Sequence, residues 1–383
     1  MAHETPSPRV FFYVQHLLGI GHLARASRIA DALVEDHFEV TVVTGGSPVP
    51  GFPGTRVKHL ELPAVLSGDA GFRGLVDEAG KPVDAAFEAR RRDMLLGAFQ
   101  GCDPNIVIIE AFPFGRRQVR FELLPLLAQM RAMERRPRVV TSLRDILQER
   151  TKPGRDEETV ALVKEHFDRV LVHGDPAFAR LEETFPLATE IADKITYTGL
   201  VAPSLAPPAG DTFDIVVSAG GGAVGMDLVR AARDAAQNLQ HLRWCVITGP
   251  NLPQADFDIL ASQVPKNLRL FRFRRDFAGL LSGCRLSISQ AGYNTVCDIL
   301  QAGCRSLLIP FMAGGETEQS VRAERLERLG LAHVLPESDL TPSRLQVMVE
   351  KILARPPTVA PPLDLDGARR TAEILRSLLH ETA

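Results

Sequence analysis

Paired cysteine is missing from this sequence of 383 residues. The five thiols, Cys102, Cys245, Cys284, Cys297 and Cys304, are odd in number, far apart and never in a C-x-x-C pair, which excludes a disulfide framework and a cysteine-based zinc site. Charge of one sign is missing too. With 44 Lys and Arg against 47 Asp and Glu the formal net charge is −3, so nothing favours nucleic acid as the main partner. No uninterrupted apolar run approaches the ~18 residues that a membrane-spanning helix needs. The opening MAHETPSPRV has no apolar segment, so no signal peptide is expected, and a cytoplasmic setting is.

What is present is alternation. Short β-branched runs at 10–14, 38–43, 106–110, 138–142, 169–172 and 195–198 are separated by stretches with helical periodicity, and Leu23, Ala26, Ile29, Ala30 and Leu33 mark one such helix. The proline-rich GLVAPSLAPPAGDTF (199–213) breaks the pattern, which then restarts with strands at 213–218, 243–248, 268–271, 285–289, 305–309 and 332–335. The expected fold is α/β: two Rossmann-like, doubly wound parallel-sheet domains with a cleft between them. Expected boundaries are 1–202, a linker at 203–212 and 213–363. The last helix, within about 364–383, is expected to return to the first domain.

Four strand-to-helix turns carry unusual residues. Glycines there let a ligand approach unpaired backbone N–H groups at the positive end of a helix dipole. The first, Gly19-Ile20-Gly21-His22-Leu23-Ala24, has the letters of a dinucleotide fingerprint. However, the next strand ends in Thr44-Gly45-Gly46, with no acid to hold a ribose. The second, Ser218 to Gly225 with Gly220, Gly221 and Gly222, suits a phosphate but lacks the Lys-Ser/Thr of a Walker loop. In the third, Ser289-Gln290-Ala291-Gly292-Tyr293-Asn294-Thr295, the T-x-x-D spacing of Thr295 and Asp298 reads as a capping box, while Asp298 could also reach ribose hydroxyls. The fourth, Pro310 to Arg322, places Glu318 and Arg322 at ion-pair spacing, and Glu318 with Gln319 at a helix start.

SQAGYNTVCDILQAG followed by IPFMAGGETEQSVRAERLERLGLA, together with SAGGG and GIGH, resembles the glycosyltransferases of the GT-B fold, and family 28 above all. The resemblance implies a donor site of Gly220, Gly221, Gly222, Ala291, Gly292, Asn294, Thr295, Asp298, Glu318 and Gln319. It implies an acceptor-side loop with Gly19, Gly21 and Arg144, and His22 facing the reaction centre. Two features depart from the peptidoglycan-synthesising branch of the family: a shorter glycine run before His22, and Glu318-Gln319 in place of Gln-Gln. These leave the donor sugar and the acceptor open.

The activity so implied moves a sugar from a nucleotide-diphosphate donor, a UDP-sugar such as UDP-N-acetylglucosamine, to a hydroxyl acceptor, with inversion and without metal or cofactor. Its partners are the donor and an acceptor that is lipid-linked, a polysaccharide or a small molecule. His22 is the first candidate base, because the helix dipole disfavours imidazolium. Glu110 and Asp145, at strand ends where ligands of open α/β sheets bind, are the other catalytic candidates. The D-x-D matches at 256–258 and 364–366 read as surface carboxylates. Arg90-Arg91-Arg92 with Arg116, Arg117 and Arg120 reads as a solvated basic face, or as a peripheral contact at the inner face of a membrane. The alternatives are a sugar-nucleotide epimerase, a non-catalytic sugar-nucleotide-binding subunit and an NAD-dependent oxidoreductase.

Overall fold

The computed structural model describes the chain apart from residues 1–5, 18–20, 50, 69–73, 149–151, 221–224, 250–251, 313–316, 357–361 and 382–383. Gly19, Gly221 and Gly222 therefore lie outside the described residues.

The chain forms two compact units, 1–201 with 366–383, and 202–365. In the first unit the strands are β1 (Arg9–Val14), β2 (Glu39–Thr44), β3 (Lys58–Glu61), β6 (Ile106–Glu110), β7 (Arg138–Arg144), β8 (Arg169–His173) and β9 (Ile195–Tyr197), with a small antiparallel hairpin of β4 (Leu66–Ser67) and β5 (Leu75–Val76). The order β3-β2-β1-β6-β7-β8-β9 makes a sheet of seven strands in which every neighbouring pair is parallel. Such a sheet must be covered on both faces, and β1 shows how. Phe11 and Tyr13 enter one core with Leu95, Phe99 and Leu123, while Val10, Phe12 and Val14 enter the other with Leu23, Ala26 and Ile29.

The second core also takes Ala372, Leu375 and Leu378 from the final helix, Gly367–His380. The chain's return is fixed by a bridge between Val201 and Asp366, and Arg376 holds Asp36 through Nε at 2.7 Å.

In the second unit the strands are β10 (Ile215–Ser218), β11 (Trp244–Ile247), β12 (Leu268–Phe271), β13 (Leu286–Ser289), β14 (Ser306–Leu308) and β15 (His333–Val334), in the order β12-β11-β10-β13-β14-β15. Again all neighbours run parallel.

The strand order reverses direction between β1 and β6 in the first sheet, and between β10 and β13 in the second. At such a switch point adjacent loops leave the sheet to opposite sides and open a crevice at the carboxyl ends of the strands.

Three expectations need correction. β7 runs through Arg144, two residues beyond the expected end, so Arg144 is its last residue. The Thr295–Asp298 capping box does not form. The helix Tyr293–Ala302 starts at an N-cap Gly292 with no side-chain cap, which puts Asp298 inside the second turn. The arginine stretch is a solvated face only in part, with Arg90 and Arg120 exposed. Arg91 is fully buried and pairs with buried Glu122, Nε to Oε2 at 2.7 Å, while Arg117 and Arg120 share Glu158. A guanidinium so deep is held only because its donors are matched, and it also reaches Gln15 Oε1 at 2.5 Å and the Gly45 carbonyl at 2.9 Å. Gly45 is required there, since a Cβ would lie 2.0 Å from Arg91 Nη2.

Candidate active site

His22 is the second residue of the helix Gly21–Glu35, and Glu110 is the last residue of β6, beside β1 in the sheet. Both therefore stand at the first switch point. His22 Nδ1 lies 2.9 Å from Glu110 Oε1. The Glu110 carboxylate is fully buried and its surroundings are matched to a negative charge: Arg25 Nη2 donates to Oε1, and Ser142 Oγ donates to Oε2 at 2.7 Å. Burial alone would raise this carboxyl's pKa. Arg25, then His22 and Ser142, more than offset burial and hold it well below the usual carboxylate range.

An ionised carboxylate can only accept, so the proton of the His22 ring is on Nδ1 and Nε2 carries the lone pair. Burial, and next the positive charge of Arg116, push the His22 pKa down to about 3, against the opposing pull of Glu110. The ring remains 18% exposed, enough for a small reacting group to meet it. This is a neutral imidazole fixed in one tautomer by a buried carboxylate, the arrangement of a general base whose conjugate acid is stabilised from behind.

Behind Glu110 the chain of contacts continues. Ser142 Oγ is 2.9 Å from His173 Nε2, and His173 Nδ1 is 2.9 Å from Thr198 Oγ1. Because Ser142 gives its proton to Glu110, His173 Nε2 donates to Ser142, while Nδ1 faces Thr198 Oγ1, whose hydroxyl also reaches the Gly199 carbonyl at 2.8 Å. Burial, the leading cause, lowers the His173 pKa to about 3 and keeps the ring neutral.

Two buried histidines that stay neutral when folded make the protein acid-labile. Each binds a proton in the unfolded chain between about 3 and 6.5 that it does not bind when folded. Stability is therefore complete above 6.5 and falls as pH drops, by up to about 1.4 kcal/mol per pH unit for each ring. Urea unfolding between pH 4 and 6 is expected to show this slope, and His173→Asn is expected to reduce it by about one proton. An unchanged slope in that variant contradicts the assignment.

Asp145 takes a different part. It is buried just after β7, and its Oδ1 accepts from the Ile146 backbone N–H at 2.9 Å, so it shapes its own loop. Gly21 begins the helix that carries His22, and Arg144 pairs in register with His173 at the strand ends. Arg25, Ser142 and His173 were not among the sequence candidates. Only Arg25 left a trace, one helical turn after His22 and so on the same face.

The second unit gathers its glycine turns in the same way. Ser218 and Ser289 are in register across β10 and β13, and the turns that follow them meet. Gly220 has φ +81°, and a Cβ on it would lie 2.9 Å from Gln290 Oε1. Gln319 Oε1 accepts from Ala291 N at 3.0 Å and from Phe311 N at 3.2 Å, which joins the fourth turn to the third. Arg322, fully buried, donates to the Ala291 carbonyl at 3.0 Å and to Glu318 Oε1 at 2.7 Å, with its guanidinium 5.7 Å from the Tyr293 ring centre.

Glu318 is thus one half of a buried ion pair, and Gln319 spends its carbonyl oxygen on the main chain. Gly292, Asn294, Thr295 and Asp298 are all partly exposed along the first turns of the helix Tyr293–Ala302, whose N-terminal end has no side-chain cap and follows the carboxyl end of β13. Among the described residues no group of three His, Cys, Asp or Glu side chains could hold a metal ion. Nor is any helix among them long and apolar enough to cross a membrane.

Residues 215–366, covering this second crevice, match the glycosyltransferase family 28 C-terminal domain. The likeness to that family is shown for the second unit, and solved GT-B glycosyltransferases share the fold of the chain.

The chain is 34% identical over 130 residues to a UDP-N-acetylglucosamine–N-acetylmuramyl-(pentapeptide) pyrophosphoryl-undecaprenol N-acetylglucosamine transferase of Gloeobacter violaceus, covering 32% of the chain and 36% of that relative. It is 33% identical over 191 residues to the enzyme of the same name from Synechococcus elongatus, covering 45% of the chain and 51% of the relative. The matches therefore span about a third to a half of the length of these relatives. Solved structures are similar over the whole chain. The Acinetobacter baumannii MurG structure superposes with a TM-score of 0.60 at 15% identity, covering 97% of this chain and all (100%) of that one. The calicheamicin glycosyltransferase CalG4 superposes with a TM-score of 0.61 at 17% identity, covering 98% and 94%. At those identities the likeness concerns the fold.

Proposed function

We propose that this protein is a glycosyltransferase that moves a sugar from a nucleoside-diphosphate donor, a UDP-sugar before others, to a hydroxyl acceptor. The observation that carries this reading is the neutral His22 ring, oriented by buried Glu110, in a chain whose second unit has a family 28 C-terminal domain.

His22 Nε2 takes the proton of the acceptor hydroxyl as its oxygen attacks the anomeric carbon, and Glu110 stabilises the imidazolium that forms. Glu110 is committed to Arg25, His22 and Ser142 and cannot itself attack. In this reading the acceptor oxygen attacks directly, a single displacement that expels the diphosphate and inverts the anomeric configuration. The departing diphosphate is met by the start of the helix Tyr293–Ala302 and by the backbone around Gly220, groups that stabilise negative charge without a metal. Asp298, in the second turn of that helix and partly exposed, binds the ribose hydroxyls in this reading. The relatives named above act on a lipid-linked acceptor, and the same class is a candidate here.

A thermal-shift panel of uridine, thymidine and guanosine diphosphates against NAD and NADP tests the donor class. A ligand that binds only the folded state raises its stability, and one at about 100 times its Kd adds about 2.7 kcal/mol. Stabilisation by a nucleoside diphosphate is expected; a response to NAD alone contradicts the proposal. Incubation of the matching nucleotide sugar without acceptor is expected to leave the sugar unchanged, whereas an epimerase would alter it.

A further inference from the structure

The second unit holds a cavity that the nucleotide turns do not use. Its volume is about 360 Å³, and it lies at the amino ends of β14 and β15, bordered by Arg305, Ser306 and His333. In a parallel sheet those ends are opposite the carboxyl ends where the glycine turns gather, so the length of the strands separates the two places. The helix Tyr293–Ala302 starts at the glycine turns, whereas Ile299 and Leu300, near its other end, line the cavity. The remaining walls come from Ile352, in the last turn of the helix Pro342–Leu353, with Arg355 just beyond it, and from Leu363 and Leu365.

Two properties of the lining point to a ligand. Packed domains leave few voids larger than a water molecule, and a concave apolar site of this size is the kind that holds a small molecule. The charge is also of one sign. Arg305 and Arg355 both border the cavity, and among the described residues that line it there is no carboxylate. Among the described residues neither guanidinium makes an ion pair or a hydrogen bond, although Arg305 is half-buried. Other sheltered arginines of this unit are matched: Arg233 faces Asp234, Arg274 faces Asp276 and Arg322 faces Glu318. The polar neighbours do not replace the missing acid. Ser306 Oγ donates to the Leu331 carbonyl at 3.3 Å, and Glu327 lies outside the lining and accepts from the Val334 N–H at 3.0 Å. Burial first, and then Arg355, lower the His333 pKa, so that ring adds a neutral N–H.

We propose that this cavity binds a small amphipathic oxyanion, an apolar chain ending in a carboxylate or a phosphate. The chain lies among the isoleucine and leucine side chains, and Arg305 and Arg355 hold the head group. A guanidinium presents a planar fork of donors that such a head group accepts, and a charge-assisted pair is roughly twice as strong as a neutral hydrogen bond. The site does not depend on the glycosyltransferase reading.

The test is isothermal titration calorimetry on the full chain. Decanoate is titrated in one arm and decyl phosphate in the other, both below micelle formation, with decanol and decyltrimethylammonium as the neutral and cationic counterparts. At least one anion is expected to bind, and the tighter arm identifies the head group. Decanol is expected to bind about tenfold more weakly or worse, and the cation not to bind. Arg305→Gln and Arg355→Gln, which leave the apolar walls in place, are each expected to weaken the anion about fivefold or more. Saturating UDP is expected to leave the anion Kd within about twofold, because the two places do not overlap. Failure of both anions to bind, equal binding of decanol or of the cation, or full affinity in either glutamine variant overturns the proposal. Competition by UDP also overturns it, by assigning the anion to the nucleotide turns. If UDP itself does not bind while the anion binds through Arg305 and Arg355, the donor reading fails and the cavity site stands.

Discussion

His22→Ala is expected to lower kcat by about 10²- to 10⁴-fold while KM for the donor stays within a few-fold, the range removed with a positioned general base. The ring's part in the proposed reaction is the lone pair at Nε2, and the nucleotide is assigned to the turns of the second unit, so nucleotide affinity is expected to be kept. Glu110→Gln is expected to fall almost as far. An amide at that position can present its NH₂ to the ring and reverse the tautomer, moving the lone pair to the wrong nitrogen. The two losses should not add in the double variant, because both act through one ring. A His22→Ala enzyme that loses turnover and nucleotide affinity together moves this residue from chemistry to structure. The pH profile is a second readout: with His22 held neutral down to about 3, the rate should not fall through pH 6.5 as it would with an ordinary histidine base.

Arg322→Ala is expected to destabilise the second unit by about 3–5 kcal/mol, the usual cost of removing one partner from a buried ion pair. Glu318 would keep a buried carboxylate without its guanidinium, and the Ala291 carbonyl would lose its donor. Because Ala291 immediately precedes Gly292 and the helix start, the variant should also bind nucleoside diphosphate more weakly than its folded fraction accounts for. Denaturant unfolding of Arg322→Met, Glu318→Gln and their combination separates the pair from the packing. The double variant is expected to be more stable than the sum of the single losses, since it leaves no unpaired charge. Strict additivity would mean that the pair carries no coupling energy.

Much of the fold is legible in the sequence because its strands are buried on both sides. Runs such as Val10–Val14 and Ile106–Ile109 stay apolar at every position, and their shortness and β-branched content mark them as buried strands. β3 is different. Lys58-His59-Leu60-Glu61 is an edge strand, largely exposed, and no hydrophobic pattern marks it. The hairpin of β4 and β5 is too short to show any period.

The site was legible in parts. His22 stands out after two glycines at a helix start, and Glu110 as an acid closing an apolar strand. Their contact spans 88 positions and follows from β1 and β6 being neighbours at the switch point. Ser142 and His173 look like ordinary strand residues, and only the parallel register of β6, β7 and β8 brings them in behind Glu110. Arg91 was obscured by its neighbours. Flanked by Arg90 and Arg92 it reads as surface charge, yet the helix Ala85–Cys102 turns that one guanidinium inward to Glu122. Thr295 and Asp298 carry the spacing of a capping box, but the glycine turn starts the helix at Tyr293, ahead of both.

The most direct measurement follows the anomeric carbon. A UDP-sugar labelled with ¹³C at C1 is incubated with the protein and a panel of hydroxyl acceptors, lipid-linked sugars among them, and the label is observed by NMR. The account predicts that C1 leaves UDP and appears bonded to acceptor oxygen with the opposite anomeric configuration, at a rate that collapses in His22→Ala. A label that stays on UDP while the sugar is epimerised or oxidised, or that is transferred with its configuration retained, contradicts it.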